Sequence, residues 1–377
     1  MNRSSCTPYF QELERRIAGL GGMFNAHLHL DRTGTYHETV EMLSARGVED
    51  GASLSLAGKH ALIPMVHASK LYEQANLTER TAGYLERMIG VGTTRAETVV
   101  DTTLDMVGTS ALDTFLRIKQ QFANRIDFRC GAYSPLGFRD DEPQRWELLV
   151  EGAKRADFLG LLPERDDQET YPEHIGYKES CRRAIELTRK LGKTIHIHVD
   201  QANHEYENGS ETVVEVVREL GAGVPAGQDP FIWLIHVISP STYPEPRFES
   251  LAADLAELNI GVITCPSAAL SMRQYRKLRS PTFNSIARVL ELLVAGVHVR
   301  VGSDNICDIT SPMGTPDLMD EIFVLANAVR YYEIDIFAKL AAGLRLDESE
   351  RERIRIHLAE NDKVVDAVAA RYQNRTN

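Results

Sequence analysis

Short apolar runs alternate with longer amphipathic stretches along this chain, a pattern that predicts parallel βα units. Each run is rich in β-forming residues and ends in a polar or turn residue. Eight runs predict strands, at Met23–Leu28, Thr93–Val99, Ile126–Ala132, Phe158–Leu162, Thr194–Val199, Ile232–Val237, Gly261–Thr264 and Val297–Val301. Eight consecutive units are typical of a closed barrel, so the predicted fold class is α/β, a (β/α)8 TIM barrel.

The stretches between these runs have helical periodicity. The clearest is Ser180–Leu191, which ends before Gly192, a natural helix terminator. Its predicted buried face consists of Cys181, Ala184, Ile185 and Thr188. Further helices are predicted at Phe10–Leu20, Asp317–Tyr332 and Glu350–Ala370, and extra ones within the long segment Thr33–Ile89. We expect residues 1–377 to form one barrel domain with helical additions at both ends.

Composition restricts the classes of partner. A chain of 377 residues that is 43% hydrophobic can bury a large core. Its formal net charge of -12 is spread without blocks of like charge, which argues against nucleic acid and membranes and favours a small-molecule substrate. The 5 cysteines form no CxxC pair, and neither a signal peptide nor a membrane-spanning run is apparent. A cytoplasmic protein is expected, and homo-oligomers remain open.

The first predicted strand ends in a pair of histidines, His27 and His29. Active-site groups of a (β/α)8 barrel lie at the C-terminal ends of its strands. Residues i and i+2 of a strand share one face, so both imidazoles can point into the barrel mouth and bind one metal ion. These two residues are therefore the first candidate ligands.

Three further predicted strands supply suitable groups at their ends. The fifth ends near His198, the better candidate ligand, whereas His196 lies one pleat deeper and is expected in a second layer or the core. The sixth ends near His236, and Asp304 follows the eighth. A lone His or Asp at a strand end is ordinarily a turn residue or a helix cap. Four such ends in one predicted barrel indicate a metal site.

The candidate ligand set indicates the kind of site. It consists of His27, His29, His198 and Asp304. Three imidazoles and one carboxylate leave an open position for water, which Zn or Fe would acidify towards neutral pH. His236 and Asp304 can accept or relay the proton of that water. The fourth predicted strand has no Lys or Glu to bridge two metals, since Glu164 comes only after Pro163. One divalent ion, Zn or Fe, is the predicted cofactor.

The sequence resembles the amidohydrolase superfamily, and within it cytosine deaminase and related N-heterocycle deaminases and aminohydrolases. The similarity runs along almost the whole predicted barrel. It rests on the segments Asn25–Arg32, Ala132–Gly137, His198–Gln201, Gly302–Asp304 and Ser311–Gly314, and on His236. The resemblance implies that His27, His29, His198 and Asp304 bind Fe or Zn. It also implies that His236 holds the hydrolytic water.

One departure from the family pattern concerns proton transfer. Deaminases of this group carry a Glu that shuttles a proton to the ring nitrogen and the leaving amine, whereas this chain has Gln201. A neutral amide cannot carry that proton. Either another group takes over, or the reaction relies on Asp304 and His236. The candidates for that other group are His204, Glu205 and Glu164.

Two further departures concern the substrate and the architecture. Cytosine deaminase places a Gln on its substrate where this chain has Pro135, so cytosine itself is not the expected substrate. The family's small β-sandwich is built from both chain ends. Only 26 residues precede His27, and the chain after Tyr332 has helical periodicity, so the sandwich is expected to be absent.

Four other residues are candidates for contact with the substrate. Arg32 either binds a substrate carbonyl or carboxylate or forms a salt bridge to a loop. Glu97, inside a predicted strand, either lines the pocket or pairs with a core Arg. Glu164 lies just beyond the fourth strand, where a side chain can face the pocket. His204 is either a pocket residue or part of a solvated loop.

These observations predict a metal-dependent hydrolase that cleaves a carbon–nitrogen bond of a small nitrogen-containing compound, with a heterocycle as the expected substrate. Deamination or dealkylamination by metal-activated water is the leading reaction. Hydrolysis of an amide or cyclic amide is the alternative, because Asp304 could then carry the proton in spite of Gln201. A non-catalytic binding protein on the same barrel is the third hypothesis.

Overall fold

The computed structural model describes residues 7–48, 51–272 and 286–373. One parallel sheet of eight strands, in the order β1 to β8, forms the centre of the molecule. The strands are β1 (Met23–Leu28), β2 (Thr93–Asp101), β3 (Asp127–Ser134), β4 (Phe158–Leu161), β5 (Ile195–Val199), β6 (Ile232–His236), β7 (Gly261–Thr264) and β8 (Val299–Val301). A parallel bridge between Leu28 and Asp304 joins the two edges of the sheet. The predicted (β/α)8 barrel is confirmed.

Helices follow the strands and surround the sheet. They are α1 (Pro8–Gly19), α2 (Tyr36–Ser44), α3 (Leu56–His60), α4 (Ile63–His67), α5 (Gln74–Gly90), α6 (Ser110–Phe122), α7 (Gln144–Arg155), α8 (Tyr177–Leu191), α9 (Gly209–Glu219), α10 (Glu245–Glu257), α11 (Pro266–Leu270), α12 (Val289–Ala295), α13 (Leu318–Val329), α14 (Ile334–Ala341) and α15 (Glu348–Gln373). Helices α2 to α5 lie between β1 and β2, so the extra helices predicted there are present. Within the described ranges, no helix combines the length and apolarity of a membrane span.

The amphipathic pattern of α8 shows how the helices cover the barrel. Its buried residues include Cys181, Ala184, Ile185 and Thr188, the face predicted from the sequence. The helix ends at Gly192, whose φ of 63° is left-handed and favours glycine. Every residue of the neighbouring strand β5 is buried. Both faces of a parallel barrel strand are covered, one by the helices and the other by the barrel interior.

Strand β2 is longer than predicted, and this changes which residues reach the mouth of the barrel. The predicted strand ends at Val99, whereas β2 continues to Asp101. The apolar Val100 extends the buried run, and Asp101 pairs with Tyr133 of β3. Asp101 therefore occupies the C-terminal end of β2. Glu97 lies four residues, about 13 Å, further down the same strand.

Both ends of the described chain are helical. Helix α1 packs against α14, and the Tyr9 hydroxyl donates a hydrogen bond of 2.8 Å to the carbonyl of Tyr332. All the strands formed by the described residues belong to the barrel sheet. Within these residues there is therefore no separate β-sandwich.

Candidate metal centre

Four buried side chains meet at the mouth of the barrel, where β1, β5 and β8 end. They are His27, His29, His198 and Asp304, whose ligand atoms lie within 4.8 Å of one another. The Nε2 atom of His198 lies 3.1 Å from Nε2 of His27 and 3.3 Å from Nε2 of His29. The Nε2 atom of His29 lies 3.2 Å from Oδ1 of Asp304. The structure thus brings together the four candidate ligands predicted from separate strand ends.

The protonation states of these groups suit a cation. Burial and the neighbouring imidazoles hold the pKa values of His27 and His198 well below the usual range, so both rings are neutral. Burial alone would raise the pKa of Asp304, but the hydrogen bond to His29 and the nearby imidazoles lower it overall. Neutral imidazoles beside an ionised carboxylate are the states in which these groups bind a divalent metal.

The backbone at the strand ends fixes these side chains. The N–H of Asp304 donates to the carbonyl of His27 at 2.9 Å, and the N–H of His29 donates to the carbonyl of Asp304 at 3.2 Å. Asp304 has a φ of 58°, and His236 and Val237 have φ values of 79° and 51°. Such left-handed backbone costs about 1–3 kcal/mol at a residue other than glycine and is concentrated at functional sites.

His236 lies beside the four-residue cluster at the end of β6. Its Nε2 atom is 4.0 Å from Oδ2 of Asp304. Burial lowers the pKa of His236, although the charge of Asp304 opposes this shift. The ring is therefore neutral, and it can exchange hydrogen bonds with a molecule held between it and the carboxylate.

A small pocket opens above the cluster. It is lined by His29, His198, His236 and Asp304 together with Arg32, Leu56, His60, Tyr133, Leu162, Gln201, Met272, Asn305 and Thr310. The free volume between these side chains is about 20 Å³, which has room for about one water molecule.

Comparisons with known proteins agree with this architecture. No protein-family model matches the chain. An uncharacterized protein of Haemophilus influenzae is 24% identical over 275 residues, 72% of this chain and 91% of that protein. The 5-methylcytosine deaminase of Klebsiella pneumoniae, liganded with 5-fluorocytosine, superposes with a TM-score of 0.71 and 22% identity, over 85% of this chain and 74% of the deaminase.

Two further solved structures share the barrel. N-isopropylammelide isopropylaminohydrolase of Burkholderia multivorans superposes with a TM-score of 0.64 and 18% identity, over 89% of this chain and 82% of that enzyme. The atrazine chlorohydrolase TrzN of Arthrobacter aurescens, complexed with zinc, has a TM-score of 0.54 and 16% identity, over 82% of this chain and 64% of that enzyme. This chain has their fold.

Gln201 lines the pocket, and a carboxyl group lies directly behind it. The Gln201 side-chain amide donates a hydrogen bond of 2.9 Å to Oε2 of Glu164. Burial and the nearby carboxylates of Glu207 and Asp200 raise the pKa of Glu164 well above its usual range. Glu164 itself is not among the residues that line the pocket. The structure therefore joins two of the predicted site residues, with Gln201 between Glu164 and the ligand space.

Arg32 lies in the pocket wall, but most of its guanidinium group is already bound. Its Nε and Nη2 atoms donate to Asp101 at 3.0 and 2.6 Å. Asp101 also contacts His67 at 2.9 Å and the hydroxyl of Tyr72 at 3.1 Å. Arg32 thus forms a buried ion pair, with the end of strand β2 in place of a loop, and it also borders the pocket.

Two predicted substrate residues lie away from the pocket lining. Glu97 lies deep in the barrel, 3.3 Å from His196 and 3.5 Å from Arg129, so it has an ion pair with an Arg, although Arg129 is exposed and is not the predicted core Arg. His204 lies in the loop after β5, where its Nδ1 accepts a hydrogen bond from the N–H of Tyr206. Neither residue contributes to the wall of the pocket.

Sequence reasoning missed His60 and Asp101. His60 enters the pocket from α3, and burial and the charges of Arg32 and Arg165 lower its pKa to about 3. His60 lies in the long segment between β1 and β2 and not at the end of a strand, so reasoning from strand ends could not identify it. Asp101 is itself a strand-end carboxylate, so extending the second predicted strand by two residues would have identified it.

Proposed function

We propose that this protein is a hydrolase that uses one divalent metal ion to cleave a carbon–nitrogen bond of a small nitrogen-containing heterocycle. The observation that carries the proposal is the buried cluster of three imidazoles and one carboxylate at the barrel mouth. Solved structures of the same fold include a 5-methylcytosine deaminase and an isopropylaminohydrolase, which supports this substrate class. Deamination or removal of an alkylamine is the leading reaction.

The donor set fits Zn or Fe. Three imidazole nitrogens and a carboxylate oxygen are ligands that both ions accept. The Nδ1 of His198 lies 3.0 Å from the carbonyl of Leu161, so its proton is held there and the Nε2 lone pair points to the cluster. A bound divalent ion supplies Lewis acidity and lowers the pKa of a water molecule. The zinc complex of TrzN supports zinc as the first ion to test.

Asp304 and His236 are the groups placed to handle protons. Asp304 is ionised, and His236 is neutral with its Nε2 4.0 Å from the carboxylate. A water molecule between them could donate one hydrogen bond to each. Asp304 would accept the proton of the attacking water, and His236 would hold that water through the second hydrogen bond.

The outer wall of the pocket would orient the substrate. Arg32 is fixed by two hydrogen bonds to Asp101, which leaves Nη1 to meet a carbonyl oxygen of the ring. The neutral imidazole of His60 and the amide of Gln201 offer further polar contacts. The ring of Tyr133 lies 5.5 Å from that of His29 and supplies an aromatic surface for a planar molecule.

Hydrolysis of an amide or cyclic amide is the second candidate reaction. Gln201 favours it, because a neutral side chain at this position cannot pass a proton to a ring nitrogen. Asp304 would then deliver the proton to the leaving nitrogen. Products distinguish the two reactions, since deamination releases ammonia or an amine without forming a carboxylate, whereas hydrolysis of a linear or cyclic amide forms a carboxylate.

A metal and product assay tests both reactions. The purified protein is analysed for metal and incubated with aminated heterocycles and with linear and cyclic amides. We expect about one Zn or Fe per chain and amine release from at least one heterocycle, with both lost in His27→Ala and activity lost in Asp304→Asn. His37→Ala, a change to an exposed histidine of α2, is the matched control. A metal-free protein without hydrolysis of any substrate would favour the binding-protein hypothesis.

A further inference from the structure

A histidine and a glutamate lie directly beneath the four-residue cluster, inside the barrel. Nδ1 of His196 is 3.4 Å from Nδ1 of His27, the ring nitrogen that faces away from the cluster. Nε2 of His196 is 3.3 Å from a carboxylate oxygen of Glu97. His196 is 1% exposed and Glu97 is 7% exposed. The three side chains form a line from the cluster into the barrel.

The hydrogen bonds in this line can have only one direction when Nε2 of His27 binds a metal. Nδ1 of His27 then carries the proton and donates it to His196. Nδ1 of His196 must accept, so its single proton lies on Nε2 and is donated to Glu97. The tautomers of both rings are set by the carboxylate at the end of the line.

Glu97 is held in its ionised form. Burial alone would raise its pKa, but the hydrogen bond to His196 and the charges of Arg300 and Arg129 lower it overall. Arg129 lies 3.5 Å from Oε1 of Glu97. An isolated buried carboxylate would be costly, so these partners account for its presence in the barrel interior.

The packing leaves little freedom for His196. Its ring lies 4.4 Å from the ring of Phe158. The adjacent residue on β4 is Gly160, where an added Cβ would meet Val99 at 2.7 Å. The imidazole is therefore held by the ring of Phe158 and by its polar contacts with His27 and Glu97 in a closely packed layer of the barrel.

We propose that His196 and Glu97 are positioning residues that set the metal affinity of the centre by fixing the tautomer and orientation of His27. The inference rests on the proposed metal centre. Groups that orient a metal-binding histidine typically change metal affinity by about 10–100-fold when they are replaced. His198 has a carbonyl in the equivalent role, whereas His27 depends on two side chains.

Zinc affinity of purified variants tests the proposal. Dissociation constants for zinc are measured by competition with a chelator. We expect Glu97→Gln to weaken zinc binding by about 10-fold or more. Asp127→Asn is the matched control, because it removes a carboxylate that also contacts Arg129 but not His196. Its affinity should stay close to that of the unaltered protein. Equal affinities of Glu97→Gln and the unaltered protein would overturn the inference.

A second measurement needs no variant. Nitrogen NMR of the zinc-loaded protein with labelled histidines reports which ring nitrogen is protonated. We expect the proton of His196 on Nε2 and that of His27 on Nδ1, and a proton on Nδ1 of His196 would contradict the proposed line. If the unaltered protein binds no zinc or iron, the metal centre itself fails. The inference alone fails in a different case, in which the unaltered protein binds zinc and Glu97→Gln binds it equally well.

Discussion

Gly302 lies against His27 so closely that no side chain fits between them. A Cβ atom at position 302 would lie 2.8 Å from the backbone nitrogen of His27 and 2.9 Å from its Cβ. This contact lets β8 approach β1, so that Asp304 can bond to the backbone of His27. Asn25 and Ser303 exchange two further hydrogen bonds of 2.8 and 3.0 Å at the same closure.

Gly302→Ala should therefore damage both stability and the cluster. The added methyl group must push β8 away from β1, which costs about 1–3 kcal/mol of unfolding free energy. It also moves Asp304 relative to His27, so zinc affinity should fall. Urea unfolding and zinc competition measure the two effects. The control is Gly83→Ala, because an added Cβ there meets nothing within 4 Å and alanine favours the helix. Normal zinc affinity in Gly302→Ala would contradict this account.

His67 should stabilise the fold most at neutral and acidic pH. Burial alone would lower its pKa, but hydrogen bonds to Asp101 and Asp105 raise it to about 9. Because this exceeds the unfolded value near 6.5, the stabilisation is complete below about pH 6.5 and is lost as the pH rises through 9. The shift corresponds to at most about 3 kcal/mol.

The pH dependence of unfolding free energy tests this prediction. The unfolding free energy of the unaltered protein should exceed that of His67→Gln most at about pH 6. This difference in unfolding free energy should narrow towards about pH 10. The difference between the two proteins reports on His67 together with Asp101 and Asp105, whose pKa values His67 lowers. A difference that stays constant across this range would show that His67 is not protonated in the folded protein.

A carboxylate at position 201 should be tolerated only when Glu164 is neutral. Gln201→Glu places it about 3 Å from the buried Glu164, whose pKa is already raised well above its usual range, so one of the two carboxyl groups must stay protonated. We expect this single variant to lose about 1–3 kcal/mol of stability at pH 7. The double variant Gln201→Glu/Glu164→Gln keeps one carboxyl group and one amide, in exchanged positions. It should recover the lost stability. Thermal unfolding measures the effect.

The same pair of variants tests the chemistry of Gln201. If position 201 is placed correctly for proton transfer and lacks only a carboxyl group, the double variant should release more ammonia from aminated heterocycles than the unaltered protein does. Unchanged ammonia release, with continued carboxylate formation from cyclic amides, would favour the amide reaction. Metal content should be the same in all three proteins, because neither residue belongs to the cluster.

His60 should contribute to substrate binding without affecting the metal. It lines the pocket and is neutral, with a pKa lowered to about 3. Loss of one hydrogen bond predicts a rise in KM of about 10-fold for His60→Ala, with little change in zinc content. Ala57→Ser, on the exposed side of the same helix, is the control. A fall in zinc content of His60→Ala would contradict this role.

The sequence was most informative where the chemistry follows from local geometry. Alternation along a strand places His27 and His29 on one face, and strand ends of a parallel barrel meet at one edge. The predicted face of α8 is buried for the same reason, since a period of 3.6 residues is a property of the helix itself. These relationships need no knowledge of the loops.

The tertiary structure decided what the periodic pattern does not contain. Strand β2 is two residues longer than predicted and ends at Asp101, so Glu97 lies further from the barrel mouth than the predicted strand implied. The path of the long segment between β1 and β2 brought His60 to the pocket, and two neighbouring strand ends placed Glu164 behind Gln201. The sequence alone determined the barrel and its four candidate ligands through short-range periodicity. Contacts between distant segments depend on how the whole chain packs, so only the folded protein fixed the surroundings of those ligands.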